Sequence, residues 1–258
     1  MAALVTGAAK RLGREMALAL ARAGHNICVH YATSRYEADA TVAEIKALGR
    51  RAVSLNADLL SEDQTDALVP GAIDALGEPI TVLVNNASIF EYDTLATATR
   101  RSWDRHLESN LRAPFVLTRA VAAQVPAPEI DARGEPVAQG LIVNMIDQRV
   151  LKPTPEFMTY TIAKMGLWAL TRTSAQALAP RLRVNAIGPG PTIQGSRQSK
   201  AHFNAQRAAT ILNRGADLDG ITQALLYLMS ARAVTGQLIC VDGGQHLAWE
   251  TPDIVGMV

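Results

Sequence analysis

Short runs of β-branched and aliphatic residues alternate with helical patterns along the whole of this 258-residue chain, and few folds accept such an alternation. Parallel strands need a crossover between them, so repeated strand-helix pairs specify a parallel sheet covered by helices on both faces. Strands are predicted at 2–5, 26–30, 52–55, 81–84, 141–146, 183–187 and 237–241. Helices are predicted at 11–23, at 34–48 with Ser34 as its cap, from Ser61 onward, and at 100–123, 158–178 and 217–229. With 48% hydrophobic residues the chain can bury one large core, and a single domain over 1–258 is the simplest organisation. Residues 124–139 carry Pro126, Pro128, Gly134 and Pro136 and read as a surface insertion without regular structure. Residues 192–212 mix polar and helical patterns and read as a mobile substrate lid, and 245–258 read as a C-terminal tail.

The first predicted strand meets the first helix through Thr6-Gly7-Ala8-Ala9-Lys10-Arg11-Leu12-Gly13. A helix N-terminus behind small residues suits the pyrophosphate of a dinucleotide: Gly7 permits the tight turn and Gly13 the close approach of helix to sheet. In an NAD site the second strand would end in an acid for the ribose hydroxyls. Here it runs into His30-Tyr31-Ala32-Thr33-Ser34-Arg35, with no carboxylate before Glu37. Lys10, Arg11 and Ser34, aided by His30 or Arg35, offer donors to a 2′-phosphate instead, which points to NADPH/NADP.

Tyr160 and Lys164 lie four apart in the predicted 158–178 helix, hence on one face. An ammonium beside a phenol favours the phenolate and is expected to lower the tyrosine pKa from its reference near ~10, giving a candidate general acid or base. Asp147, thirteen residues upstream, is a third candidate. The 25 basic and 24 acidic residues leave a net charge of +1, so no global field selects nucleic acid or an anionic membrane, and a small-molecule partner is expected. No apolar run approaches the ~20 residues of a membrane span. The N-terminal residues lack a basic and apolar leader, and Cys28 and Cys240 sit in apolar runs as buried thiols; a cytoplasmic location is expected.

Read in order, TGAAKRLG at 6–13, Asp58-Leu59, NNAS at 85–88, Asn110, YTIAK at 160–164, Arg183-Val184-Asn185 with Gly188-Pro189-Gly190, and VDGG at 241–244 resemble the short-chain dehydrogenase/reductase family over nearly the whole chain. The resemblance implies an α/β class, single-domain Rossmann-type fold, with a doubly wound parallel seven-stranded sheet of order 3-2-1-4-5-6-7. It implies NADPH/NADP held by Gly7, Lys10, Arg11, Leu12, His30, Tyr31, Ser34, Asp58, Leu59, Asn86, Ala87, Ser88, Tyr160, Lys164, Pro189, Gly190 and Ile193, with adenine near Asp58 and Leu59. Catalysis would use Asn110, Asp147, Tyr160 and Lys164: Tyr160 gives the proton, Lys164 binds the nicotinamide ribose and depresses the Tyr160 pKa, and Asn110 holds a water leading to solvent.

Arg11 replaces the family's usual middle glycine, and Asp147 its usual serine. Both departures are similar to the pteridine reductase branch, as are His30-Tyr31, Asn144-Met145-Ile146-Asp147 and the Phe90 that follows NNAS. That likeness implies a pterin or dihydrofolate-like substrate, with Arg11 bridging cofactor phosphate and pterin, Phe90 stacking the ring on the nicotinamide, and Ser88, Asp147 and Tyr160 as polar partners. A carboxylate suits this substrate because a pterin presents ring N–H and amino donors. The competing expectations are a carbonyl or 3-oxoacyl thioester reductase that tolerates Asp147, and an NADP-sensing protein of weak activity. His106, His202 and His246 have no partners at metal spacing and read as surface or loop residues, so no metal is expected. Trp103 and Trp168, with the apolar tail residues Leu247, Trp249 and Ile254, fit the subunit contacts of a homotetramer, the state usual in the family.

Overall fold

The computed structural model of the chain describes residues 1–195 and 198–251. Its main sheet contains β1 (Ala2–Val5), β2 (Asn26–Tyr31), β3 (Ala52–Asn56), β4 (Ile80–Asn85), β7 (Gly140–Met145), β8 (Leu182–Pro189) and β9 (Leu238–Val241). The order is β3-β2-β1-β4-β7-β8-β9 and every pairing is parallel. Counted along the chain, these seven strands take the expected order 3-2-1-4-5-6-7.

Side-chain alternation along the strands explains the two helical layers. Ala3, Val5, Ile27, Val29, Leu141 and Val143 pack into one apolar cluster with α1 (Arg11–Arg22), α2 (Arg35–Ala47) and α8 (Leu218–Ser230). Ala2, Leu4, Cys28 and Ile142 point the other way, to α3 (Glu62–Leu76) and α5 (Ala113–Gln124). Each fully buried Leu or Ile, such as Leu4, Ile27 and Ile142, contributes about 1.5–3 kcal/mol of transfer free energy. Between β1 and β4 the winding reverses, and the crevice beyond their C-terminal ends is where open α/β sheets hold ligands.

Several expectations need correction. The insertion at 124–139 is partly regular: β5 (Glu129–Ile130) pairs antiparallel with β6 (Pro136–Val137) around a turn in which Asp131 accepts the Arg133 and Glu135 N–H groups. Short edge pairing tolerates the prolines that a central strand would not. The predicted helix 100–123 is α4 (Arg100–Leu107) and α5 separated by a π turn at Glu108–Arg112. Within the lid region, α7 (Lys200–Ala208) is a helix that buries none of its residues; Ser196 and Arg197 lie outside the described residues. So do residues 252–258 of the tail, including Ile254, whereas Leu247 and Trp249 are exposed. Ser34 occupies the cap position of α2 without a side-chain cap bond. Among the described residues no helix is long and apolar enough to cross a membrane.

Candidate active site

At the end of β1 the loop is shaped by steric limits. Gly7 has φ +63°, and a Cβ on Gly13 would lie 2.3 Å from the Gly7 carbonyl oxygen and 2.5 Å from Asn86 Nδ2, so only glycine fits there. Asn86 Nδ2 donates to the carbonyls of Thr6 (2.8 Å) and Gly7 (3.3 Å), and Thr6 Oγ1 accepts the Asn86 and Ala87 N–H groups at 2.9 Å. These bonds join the ends of β1 and β4 into one rim. Lys10, at the α1 N-cap, makes no side-chain cap bond, so the helix presents its first-turn amides uncapped. Arg11 stands at φ +58°, in the left-handed region where the family's glycine would be unstrained. Its guanidinium reaches the carbonyls of Ile193 (3.4 Å) and Gln194 (3.2 Å), tying the loop to the start of the lid.

His30 does not serve as a phosphate donor. Its ring is 1% exposed; Nδ1 accepts the Gly7 N–H at 3.0 Å and Nε2 lies 3.0 Å from the Ala57 carbonyl. These partners demand the neutral Nε2–H tautomer, and burial pushes the imidazole pKa down. The side chain braces the glycine loop from behind. Lys10 and Arg11 remain exposed near the loop, and Ser34 and Tyr31 are part-buried at the end of β2. Asp58 uses Oδ1 to accept the Leu60 N–H, and Leu59 is buried beside it.

The cleft is lined by Leu12, Asn86, Ser88, Met145, Ile146, Asp147, Tyr160, Lys164, Pro189 and Gly190, which brings the predicted glycine-loop, catalytic and β8-end residues to one place. Tyr160 and Lys164 occupy the first two turns of α6 (Met158–Leu178), and both are buried. Tyr160 Oη donates to Asp147 Oδ2 at 2.9 Å, and Asp147 Oδ1 accepts the Arg149 N–H at 2.8 Å. Lys164 Nζ donates to the Met145 carbonyl at 2.8 Å. Burial pushes the Asp147 carboxyl above the usual carboxylate range, against the pull of its hydrogen bonds. Burial also drives the Lys164 ammonium down to about 8, opposed by Asp147.

The expected lowering of the Tyr160 pKa is not found, and the shift runs the other way. Burial, then the charge and hydrogen bond of Asp147, hold the Tyr160 phenol well above its ordinary value. The carboxylate contacts the hydroxyl directly, whereas Lys164 Nζ is 5.7 Å from the ring centroid. The protonated phenol is thus the favoured form of Tyr160. The side chain of Asn110 is also committed: Oδ1 accepts the Ile89 N–H and Nδ2 donates to the Ile89 carbonyl, both at 2.9 Å. It grips the segment before Phe90 with one amide hydrogen and one carbonyl lone pair.

Phe90 stacks on Phe157 with centroids 4.2 Å apart and planes 9° from parallel, and meets the Tyr160 ring edge-on at 4.7 Å. Phe157, the α6 N-cap at φ +55°, is crossed by Tyr92 and covered by the Arg149 guanidinium at 5.2 Å. Phe157 and Arg149 escape a sequence reading because neither belongs to a motif; an aromatic three residues before Tyr160 was the available signal. His106 departs from its expected surface or loop setting, whereas His246 lies in the turn after β9. His106 is fully buried. His246 Nδ1 donates to Asp242 Oδ2 at 2.7 Å, and with Cys240 these residues bring possible ligand atoms within 4.8 Å of one another. Asp242 already accepts N–H groups from Gly244 and His246, so this group locks the turn after β9.

A family model described as Enoyl-(Acyl carrier protein) reductase matches residues 7–246. The chain belongs to the short-chain dehydrogenase/reductase family and is an oxidoreductase by class. Among its relatives is the 3-oxoacyl-[acyl-carrier-protein] reductase FabG of Staphylococcus epidermidis, 31% identical over 250 residues, covering 95% of this chain and 98% of that protein. Among solved structures it is similar to FolM alternative dihydrofolate reductase 1 from Brucella suis in complex with NADP, at a TM-score of 0.90 and 41% identity, covering 98% of each chain. A blue fluorescent protein from a metagenomic library, in complex with NADPH, gives a TM-score of 0.83 and 30% identity over 95% of this chain and 97% of the other.

Proposed function

We propose that this protein is an NADPH-dependent reductase of a pterin or dihydrofolate-like ring. The observation that carries this reading is the Asp147 carboxylate 2.9 Å from the Tyr160 hydroxyl, where the family resemblance would place a serine. A serine serves a ketone oxygen; a carboxylate serves a ring that offers N–H and amino donors. Phe90 presents a flat aromatic wall beside Tyr160, which suits a planar substrate. The similarity to a dihydrofolate reductase at 41% identity supports the same assignment.

The residues fit the cofactor. The uncapped α1 N-terminus would receive the pyrophosphate, Lys10, Arg11 and Ser34 the 2′-phosphate, and the Asn86–Ser88 turn with Pro189–Ile193 the nicotinamide end. When bound, NADPH supplies a hydride from nicotinamide C4 to an imine carbon of the substrate. Tyr160 delivers the matching proton to the imine nitrogen, and its raised pKa keeps that proton in place until it is needed. Asp147 accepts the substrate's donors and orients the ring. Lys164, in the same cleft, would hold the nicotinamide ribose.

A second reading, a 3-oxoacyl thioester reductase, is favoured by the FabG relatives, which match along 95% of the chain. Comparing NADPH turnover on dihydrobiopterin and dihydrofolate with turnover on ketones and oxoacyl thioesters separates the two. Reduction of the pterins is expected, with loss of it in Tyr160→Phe. Faster oxoacyl reduction overturns the pterin assignment, and full activity in Tyr160→Phe overturns the mechanism. We also assign a homotetramer and a cytoplasmic location, on the family resemblance and the exposed Trp103 and Trp249.

A further inference from the structure

Phe90 sits between two pinned neighbours. Asn110 grips the backbone of Ile89, and His106 grips that of Glu91, whose N–H donates to His106 Nε2 at 3.1 Å. Because a backbone amide can only donate, the His106 ring hydrogen must be on Nδ1, which lies 2.7 Å from Thr159 Oγ1. Thr159 in turn donates its hydroxyl hydrogen to Asp93 Oδ2 at 2.5 Å, and Asp93 Oδ1 accepts the Thr159 N–H at 3.1 Å. Every hydrogen in this chain therefore has a direction: His106 to Thr159, and Thr159 to Asp93. His106, Thr159 and Asp93 are 0%, 1% and 2% exposed.

The network has two ends at the active site. Asp93 caps the start of α6, accepting the Met158 N–H on its carbonyl as well as the Thr159 N–H on its side chain, and the next residue is Tyr160. The other end fixes Glu91, adjacent to Phe90. Arg105 reinforces that end through the Glu91 carboxylate, with its closer contact at 2.9 Å. The His106 and Tyr160 rings pack edge to face, 6.0 Å apart.

We propose that His106 is a positioning residue for substrate selection: by accepting the Glu91 N–H while donating to Thr159, it fixes the Phe90 ring relative to the Tyr160 hydroxyl. The role rests on the reading that Phe90 packs against a flat substrate. Imidazole is suited to this post because it offers an acceptor and a donor at different depths. Asparagine can replace only the Nδ1 donor, and glutamine places an acceptor where Nε2 stood.

The test compares His106→Asn and His106→Gln in the full-length protein. It measures kcat and KM for dihydrobiopterin, the NADPH Kd, and hydrogen exchange at the Glu91 amide. In His106→Asn, KM is expected to rise about tenfold, the size of one neutral hydrogen bond, while the NADPH Kd stays within about twofold. The Glu91 amide should exchange faster in that variant. In His106→Gln, Glu91 protection and KM should stay close to the parent. Unchanged KM in His106→Asn overturns the proposal. So does a raised KM in His106→Gln with Glu91 still protected, a result that stands even if the asparagine variant does not fold. If the parent protein reduces no pterin, the functional reading fails separately, and unaltered Glu91 exchange in the asparagine variant then rejects the positioning role itself.

Discussion

Asp147→Ser restores the residue expected of an ordinary ketone reductase and asks how much the carboxylate contributes. The substitution is structurally mild. Asp147 caps the short 148–150 turn by accepting the Arg149 N–H at 2.8 Å, a task serine also performs, so folding should change little. What disappears is a charged acceptor for the substrate's donors. A hydrogen bond to a charged group contributes about 1.5–3 kcal/mol, and about 1.4 kcal/mol is tenfold in rate, so kcat/KM for dihydrobiopterin should fall roughly 10- to 150-fold. Two of the causes that hold the Tyr160 pKa high, the charge and the hydrogen bond of Asp147, vanish with it, so the phenol should also titrate at lower pH. Steady-state NADPH oxidation with dihydrobiopterin, beside NADPH affinity from cofactor fluorescence, measures both parts. An equal loss of pterin reduction and NADPH binding would refute the reasoning, since Asp147 would then be a structural residue of the cofactor site.

Lys164 is charged only below about 8, so kcat should decline as pH rises through that value, and a rate profile flat to pH 9 would exclude its ammonium from the mechanism. Lys10→Ala and Arg11→Ala should each lower the ratio of NADPH to NADH efficiency, and an unmoved ratio would remove them from the phosphate site. His25, His30 and His106 all have pKa values pushed below the ordinary 6.5, chiefly by burial. As pH falls below 6.5 the unfolded chain takes up protons that the folded one refuses, so stability should drop by up to about 1.4 kcal/mol per pH unit for each. Denaturant midpoints at pH 7.5 and 5.5 check this. Light scattering should give a tetramer mass, and a monomer at micromolar concentration would contradict the assembly.

The parallel sheet was legible because strands buried on both faces leave continuous apolar runs, as in Ala2–Val5, whereas the strand order came with the family resemblance. The convergence of Leu12, Asn86, Asp147, Tyr160 and Lys164 was legible because motifs at strand ends share one edge of such a sheet. The electrostatics of Tyr160 were not. Spacing reveals that Lys164 is four residues away, but the outcome depends on a carboxylate that the end of β7 brings within hydrogen-bond distance. His30 misled for a related reason: a polar residue at a strand end looks available, yet this one is enclosed between Gly7 and Ala57. The Asp93–Thr159–His106 network joins positions far apart in the chain, and only the packing of α4 on α6 brings them together.

The π turn at Glu108–Arg112 gives one long helix two phases. A π turn holds an extra residue, so the segments before and after it are rotated by about 100° relative to an unbroken α-helix. The earlier part faces α6 and sets the His106 ring against Tyr160, whereas α5 faces α3 and buries Leu117 and Val121 in the core. Deleting a single residue there would restore helical regularity but leave only one of the two halves correctly turned. The chain is thus held to this irregularity from both sides, by its chemistry at one end and by its core at the other.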